Sequence, residues 1–363
     1  MAKGDLTFAV KADSATASLA PGYFALVMGT GIVSIGLRDA DLVLAARVLL
    51  IIAAVAYCVL AVMFAARAVR HRDMLRRDAR NPEVAFSFFT TVAGTNVLAV
   101  GLRAEGFVNV ASALIAIAGA MWIVLGYVLP WQVLMMRDGQ PILARTNGTW
   151  FIWAVASQSL ALALSGIDAP SDGIAALIGI ATVMSWSVGS ILYAGIAVLV
   201  ILRVVHFGVT PQQFEPTYWV SMGAMAIAVV AGARIVDMDS VPMVDATRAF
   251  IGGTAAIFWC FAAWLVPMLV GAGVWRHVVH RVPLAYTPSM WSMVFPLGMF
   301  AVASMFLGRV EKLPVIEAFG SAFLAVAALV WALVMIGLVR ALVRSLRRES
   351  ADHDVVAGVR AHD

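Results

Sequence analysis

Charge is the scarcest property of this sequence. Of its 363 residues only 13 % are Asp, Glu, Lys or Arg, about half of the roughly 25 % carried by soluble globular domains. A fold kept in solution by a charged surface is excluded. Cysteine is almost missing as well: Cys58 and Cys260 both sit inside apolar runs, which leaves neither a disulfide framework nor a cysteine metal site. The histidines show no ligand pairing at helical spacing, and His277 and His280 share a basic loop without acidic support, so no metal and no other cofactor is expected. Ionisable side chains are absent from the middle of the apolar runs, whose most polar members are Asn96 and Gln158. That disfavours an intramembrane enzyme, which needs a buried acid, base, nucleophile or metal ligand, and a resident proton relay. From Met1 to Ala20 the chain carries Lys3, Asp5, Lys11 and Asp13 and no long apolar core, so no secretory signal is expected. The net charge of +4 does not point to nucleic acid, because the basic residues lie between apolar segments and form no stripe.

What is there is apolar: 62 % of the residues are hydrophobic. Runs of about 20 residues or more, enough to cross a bilayer as a helix, fall at roughly 19–37, 41–69, 83–102, 107–136, 148–166, 172–206, 215–235, 243–275, 287–307 and 313–345. The odd-numbered runs are close to the minimum span and the even-numbered ones are longer, which reads as helical hairpins. Four odd runs open with proline and then an aromatic: Pro21 with Tyr23 and Phe24, Pro82 with Phe86, Pro216 with Tyr218 and Trp219, Pro288 with Trp291. Proline suits a first helical turn, where its missing N–H is not needed, and aromatics suit headgroup depth. The third pair opens instead with Asn147, Gly148, Thr149, Trp150 and Phe151. One hairpin per opening gives an internal repeat, and two crossings per unit make the repeats parallel. The fold expected is therefore an all-α integral membrane protein of ten transmembrane helices, arranged as five parallel helical-hairpin repeats around a central pore. Residues 1–18 and 346–363 are expected to be cytoplasmic tails flanking a domain over 19–345. With the termini on one side, 18 of the 25 Lys and Arg fall on that side, which makes it cytoplasmic in a plasma membrane. Two basic clusters there, Arg67 to Arg80 and Arg340 with Arg344, Arg347 and Arg348, suit anionic headgroups.

Five units sharing one orientation can close into a ring with the shorter, glycine-bearing odd helices inside. Small and hydroxylated residues offer a weakly polar lining: Met28, Gly29, Thr30 and Ser34; Phe89, Thr95 and Asn96; Ser157 and Gln158; Gly223. Ordinary helix packing is the competing reading for each of the hydroxyls. Counting seven residues past each opening proline reaches Met28, Phe89, Gly223 and Phe295. Phe295 is followed by Pro296, which frees a backbone carbonyl and permits a kink, so the pair fits a hydrophobic pore gate. At the outer ends of four odd helices stand Arg38, Arg103, Arg234 and Arg309, and the remaining unit has Asp168 there. A ring of arginines attracts anions. The acids next to them in sequence, Asp39, Glu105, Asp237 and Glu311, allow a set of local ion pairs instead.

The strings Pro21-Gly22-Tyr23-Phe24-Ala25-Leu26-Val27-Met28-Gly29-Thr30-Gly31, Pro216-Thr217-Tyr218-Trp219 with Met222-Gly223-Ala224, and Trp291-Ser292-Met293-Val294-Phe295-Pro296-Leu297-Gly298 resemble the tellurite-resistance/C4-dicarboxylate transporter family. Plant slow anion channels and fungal malate and sulfite transporters belong to the same group. The resemblance implies a homotrimer of ten-helix protomers, each with its own pore formed by five inner helices and occluded by a phenylalanine, with Phe295 at the matching position. It also implies passage of small anions, dicarboxylate or inorganic, and the tellurite label names a phenotype, not a substrate. A proton-linked secondary carrier for dicarboxylate or sulfite is the alternative, and a membrane enzyme or scaffold a more distant one. Dehydration in an uncharged constriction favours monovalent or protonated species, since a dianion in a low-dielectric setting is the harder to hold.

Overall fold

Helices form where the apolar runs demand that every backbone N–H and C=O be satisfied within its own segment. The computed structural model describes residue 13, residues 16–135 and residues 141–360, with side chains to residue 345 and at residue 347. Most of residues 1–18, residues 361–363 and the side chain of Arg348 lie outside the described residues. Twelve α-helices are described, of which Arg72–Arg80 and Ile142–Arg145 are short connectors. The ten longer ones are α1 (Ala25–Asp39), α2 (Val43–Arg70), α3 (Phe89–Ala104), α4 (Val108–Met135), α5 (Phe151–Leu164), α6 (Asp172–Phe207), α7 (Val220–Val236), α8 (Pro242–Val274), α9 (Trp291–Val310) and α10 (Pro314–Arg360). Eight of these, with their flanking turns, are long and apolar enough to cross a membrane. The segment Gly148–Leu164 is shorter, and α1 is not among the eight. The chain is an all-helical, multi-pass membrane protein.

Every odd helix begins with a 3-10 turn: Pro21–Phe24, Ala85–Phe88, Gly148–Trp150, Pro216–Trp219 and Pro288–Met290. Proline occupies the first position of three of them, where its fixed φ and missing N–H suit a tight start. Pro82 does not. It lies three residues ahead of its 3-10 turn, and its carbonyl accepts the indole N–H of Trp150 at 2.9 Å. Counted from the 3-10 starts, Met28, Gly223 and Phe295 are equivalent and Val92 takes that place in α3, so Phe89 sits about one turn, ~4.5 Å, nearer the helix start. In the third unit Asn147 Oδ1 accepts from Thr149 N at 2.9 Å and caps the turn. A Cβ on Gly148 would stand 2.4 Å from the Thr217 backbone, so neither proline nor any side chain fits there.

Each odd helix packs on the even helix that follows it, and the odd helices also pack on one another: α1 on α3, α3 on α5, α5 on α7, α7 on α9, and α9 back on α1. The even helices stay outside this cycle. The most apolar stretches of α3, α7 and α9 are 78–89 % buried, those of the even helices 17–28 %. Leu44, Ile191 and Val315 are among the even-helix side chains left exposed, as are both cysteines.

A polar fastener ties each even helix to the odd helix of the next unit. Trp122 Nε1 donates to Ser157 Oγ at 2.8 Å, Trp186 Nε1 to the Ala228 carbonyl at 3.0 Å, Trp259 Nε1 to Ser304 Oγ at 2.9 Å, and Trp331 Nε1 to Thr30 Oγ1 at 3.0 Å. Tyr57 and Thr95 pair their hydroxyls at 3.1 Å in the remaining position. The last of the tryptophan bonds joins α10 to α1 and closes the circle.

Candidate functional site

A cavity of about 300 Å³ opens at the C-terminal ends of the odd helices, and all five contribute to its wall. Ile32, Ile35 and Asp39 come from α1, Val100 and Arg103 from α3, Leu162 and Ala163 from α5, Val230 and Arg234 from α7, and Met299, Val302 and Phe306 from α9. On α1 and α9 the apolar lining residues recur one helical turn apart along one face, and the charged lining residues Asp39, Arg103 and Arg234 stand at the ends of their helices.

Four arginines were the expected ring at this end, and the structure gives three of them acidic partners. Arg38 Nη1 donates to Glu105 Oε1, which also holds Arg47 at 3.0 Å. Arg103 Nη2 donates to Asp168 Oδ2 at 2.5 Å. Arg309 lies between Asp39 at 3.9 Å and Glu317 at 3.5 Å. Among the described residues Arg234 has no ion pair, and its guanidinium lies 5.0 Å from the ring centroid of Phe306, a cation–π contact. Pairs run between units around the ring, first to second, second to third and fifth to first, and Arg309 also holds Glu317 of its own hairpin. The local partners expected from sequence, Asp39 for Arg38, Glu105 for Arg103, Asp237 for Arg234 and Glu311 for Arg309, are not the ones used. Only Arg103 and Arg234 of the four line the cavity. Asp39, two residues past the first apolar run, lines it with them. Burial holds its carboxyl above the ordinary value, against the lowering pull of Arg309, Arg234 and Arg38.

One turn deeper than Ile32, Val100 and Met299 on the same faces are Met28, Asn96 and Phe295, all buried. Asn96 Nδ2 donates to Ser159 Oγ of α5 at 3.0 Å, while its Oδ1 is buried without a partner. Two glycines let the neighbouring helices close on Phe295. A Cβ on Gly29 would stand 3.1 Å from Val294, and one on Gly223 would stand 2.8 Å from the Pro296 ring. Other core aromatics are braced by rings, as Phe86 is by Trp150 at 4.4 Å. Among the described residues Phe295 has no such ring neighbour, and Pro296 follows it inside the same helix, where its missing N–H leaves one backbone carbonyl without its helical partner.

The remaining polar candidates face the even helices. Thr30 takes the Trp331 indole, Ser34 donates to the Ala46 carbonyl of α2 at 2.6 Å, and Thr95 meets Tyr57. Ser157 accepts from Trp122, and Gln158 Nε2 donates to the Trp186 carbonyl of α6 at 3.0 Å. Their hydroxyl and amide groups fasten hairpins, as interhelical polar groups in membranes do. Phe89 packs 5.8 Å from Trp153 in the wall between α3 and α5. Sequence reasoning missed the tryptophan fasteners and the Arg234–Phe306 contact. One aromatic donor recurring in each even helix was a readable signal for the former. No group of three or more metal-ligating side chains occurs among the described residues.

A family model described as SLAC1, voltage-dependent anion channel, matches residues 18–339. An uncharacterized membrane protein of Mycobacterium tuberculosis is 40 % identical over 172 residues, which are 47 % of this chain and 87 % of the relative. An uncharacterized transporter of Methanocaldococcus jannaschii is 24 % identical over 334 residues, 87 % of this chain and 91 % of the relative.

Proposed function

The chain belongs to the SLAC1, voltage-dependent anion channel family, and on that premise we propose that small anions cross the membrane along the axis enclosed by α1, α3, α5, α7 and α9. The observation that carries this reading is one cavity walled by all five odd helices, and Met28, Asn96 and Phe295 lie one helical turn deeper than its lining residues Ile32, Val100 and Met299. In this account all ten long helices within 19–345 span the bilayer as five parallel hairpins. The fastener from each even helix to the next odd helix supports that arrangement, because it repeats once per unit around the circle. The excess of Lys and Arg on the side of the termini supports a cytoplasmic location for both tails, so the cavity faces outward. The resemblance to trimeric relatives supports a homotrimer with one path per protomer.

Phe295 is the gate. It is buried where Gly29 and Gly223 bring two helices against its own, it lacks a ring to brace it, and Pro296 gives its helix a place to bend. From their starts to this depth the odd helices carry no Asp, Glu, Lys or Arg, so an anion sheds water with little repayment. Weakly hydrated monovalent anions and protonated dicarboxylates are the preferred cargo. The test is flux in proteoliposomes at a clamped membrane potential, with chloride, nitrate, malate and sulfite offered to the native chain and to Phe295→Ala. The account expects potential-driven flux to rise at least about tenfold in the alanine variant, the equivalent of ~1.4 kcal/mol off the barrier. An alanine variant as silent as empty vesicles, with native malate uptake that requires a pH gradient, would replace the gated path by a coupled carrier.

A further inference from the structure

We propose that the cavity at the C-terminal ends of the odd helices is an anion-binding site, in which Arg103 and Arg234 hold one carboxylate or other oxyanion and Asp39 competes with it. The proposal rests on the reading of the odd-helix axis as the anion path, and it adds a place where the anion stops and a residue that sets how tightly.

The charged side chains on the cavity wall are Asp39, Arg103 and Arg234. Two cations face one carboxylate there, so the wall carries one positive charge in excess. It sits on Arg234, which faces the cavity with an aromatic ring in place of a carboxylate. Arg103 is the second cation on the wall. Asp168 occupies its Nη2, and its Nη1 is buried without a partner. A charged donor left unmade is unfavourable in a partly dehydrated site, and guanidinium forks match anions that present two oxygens. The cavity, about 300 Å³, is at the small end of ligand sites. It suits an anion of a few heavy atoms.

Asp39 supplies the control. It stands on the same wall, facing Arg309 of α9 at 3.9 Å and the more distant Arg234 of α7 and Arg38 of its own helix. Glu317 of α10 shares Arg309 with it, Glu105 holds Arg38, and the exposed Asp168, which is not on the cavity wall, engages Arg103. Burial keeps the Asp39 carboxyl above its ordinary value, so it takes up a proton before an exposed carboxylate would as pH falls. Protonation removes one negative charge and raises the excess from one to two. Anion binding therefore tightens on acidification, and a dianion gains more than a monoanion.

The experiment is equilibrium binding to the purified full-length protein in detergent, by titration calorimetry and thermal stabilisation, with succinate, nitrate and chloride as probes between pH 5 and pH 8. The native protein is expected to bind succinate and nitrate saturably and chloride more weakly. Arg234→Gln should raise Kd by at least about tenfold, the loss of one charge-assisted contact, with Arg234→Lys between the two. Arg47→Gln, which removes a charge at the same end outside the cavity, should change Kd by less than about twofold. Asp39→Asn should bind tightly at pH 8 and lose the pH dependence. Native-like binding by Arg234→Gln, an equal loss in Arg47→Gln, or chloride binding as tight as nitrate overturns the site. An unchanged pH profile in Asp39→Asn overturns the competition. If binding follows the expected pattern and Phe295→Ala carries no flux, the site stands and the conduction reading falls. If Phe295→Ala conducts and Arg234→Gln binds as the native chain does, the reverse holds.

Discussion

The odd and even helices invert the rule that governs soluble proteins. The even helices are the more apolar set and leave most of their surface exposed, while α3, α7 and α9 are less apolar and almost fully buried. Lipid is as apolar as leucine, so burial of Val, Leu and Ile drives no helix association here. Close approach and polar contacts decide which helices go inside. Glycines whose Cβ atoms would strike a neighbour sit where helices meet, as Gly29, Gly148 and Gly223 do in the odd set and Gly189 and Gly320 do where α6 and α10 pack on it, whereas Gly253 and Gly271 on the exposed side of α8 have open space around them. The inner cycle is built from the helices that look least like membrane spans.

The comparison can be broken hardest at Gly148. Gly148→Ala places a Cβ within 2.4 Å of the Thr217 backbone, and two helix starts have to separate. The expected loss exceeds ~3 kcal/mol and will show as a collapse in monodisperse yield and in thermal midpoint. Intermediate effects are expected at the fasteners. Trp331→Phe and Trp259→Phe each remove one interhelical hydrogen bond, at about 0.6 kcal/mol and no more than ~1.7. A double-mutant cycle of Trp331→Phe with Thr30→Val should give coupling of that size, and zero coupling would remove the fastener from the account. The smallest effect belongs to Gly271→Ala on a lipid-facing stretch, within about 0.5 kcal/mol. A large loss there would erase the distinction between the two sets.

Hairpin alternation and the aromatic helix openings were legible because both follow from bilayer thickness and headgroup depth, which act locally on the chain. Pro82 misled the register by three residues because the α3 start is set by the 3-10 turn at Ala85–Phe88, with proline left in the preceding bend. The arginines at one end were legible as a group, but their partners were not. Sequence neighbours suggest pairing within a unit, whereas ring closure brings Glu105 to Arg38, Asp168 to Arg103 and Asp39 to Arg309. The hydroxyls were readable as polar and unreadable as to direction, since Thr30 and Ser157 turn outward only because a tryptophan from an even helix reaches each of them. Asp39 and Phe306 gained a role only once five helix ends met at one cavity.

The central claim is that anions move along the odd-helix axis and not between hairpins. The direct measurement is thiol modification during flux in the Phe295→Ala background, comparing Ile32→Cys on the cavity wall with the native Cys58 and Cys260 on α2 and α8. The account predicts that a methanethiosulfonate reagent added from outside blocks flux through the Ile32→Cys protein and leaves the parent with its two native cysteines conducting. Block of the parent through Cys58 or Cys260, with Ile32→Cys no more sensitive, would place the path among the even helices and contradict it.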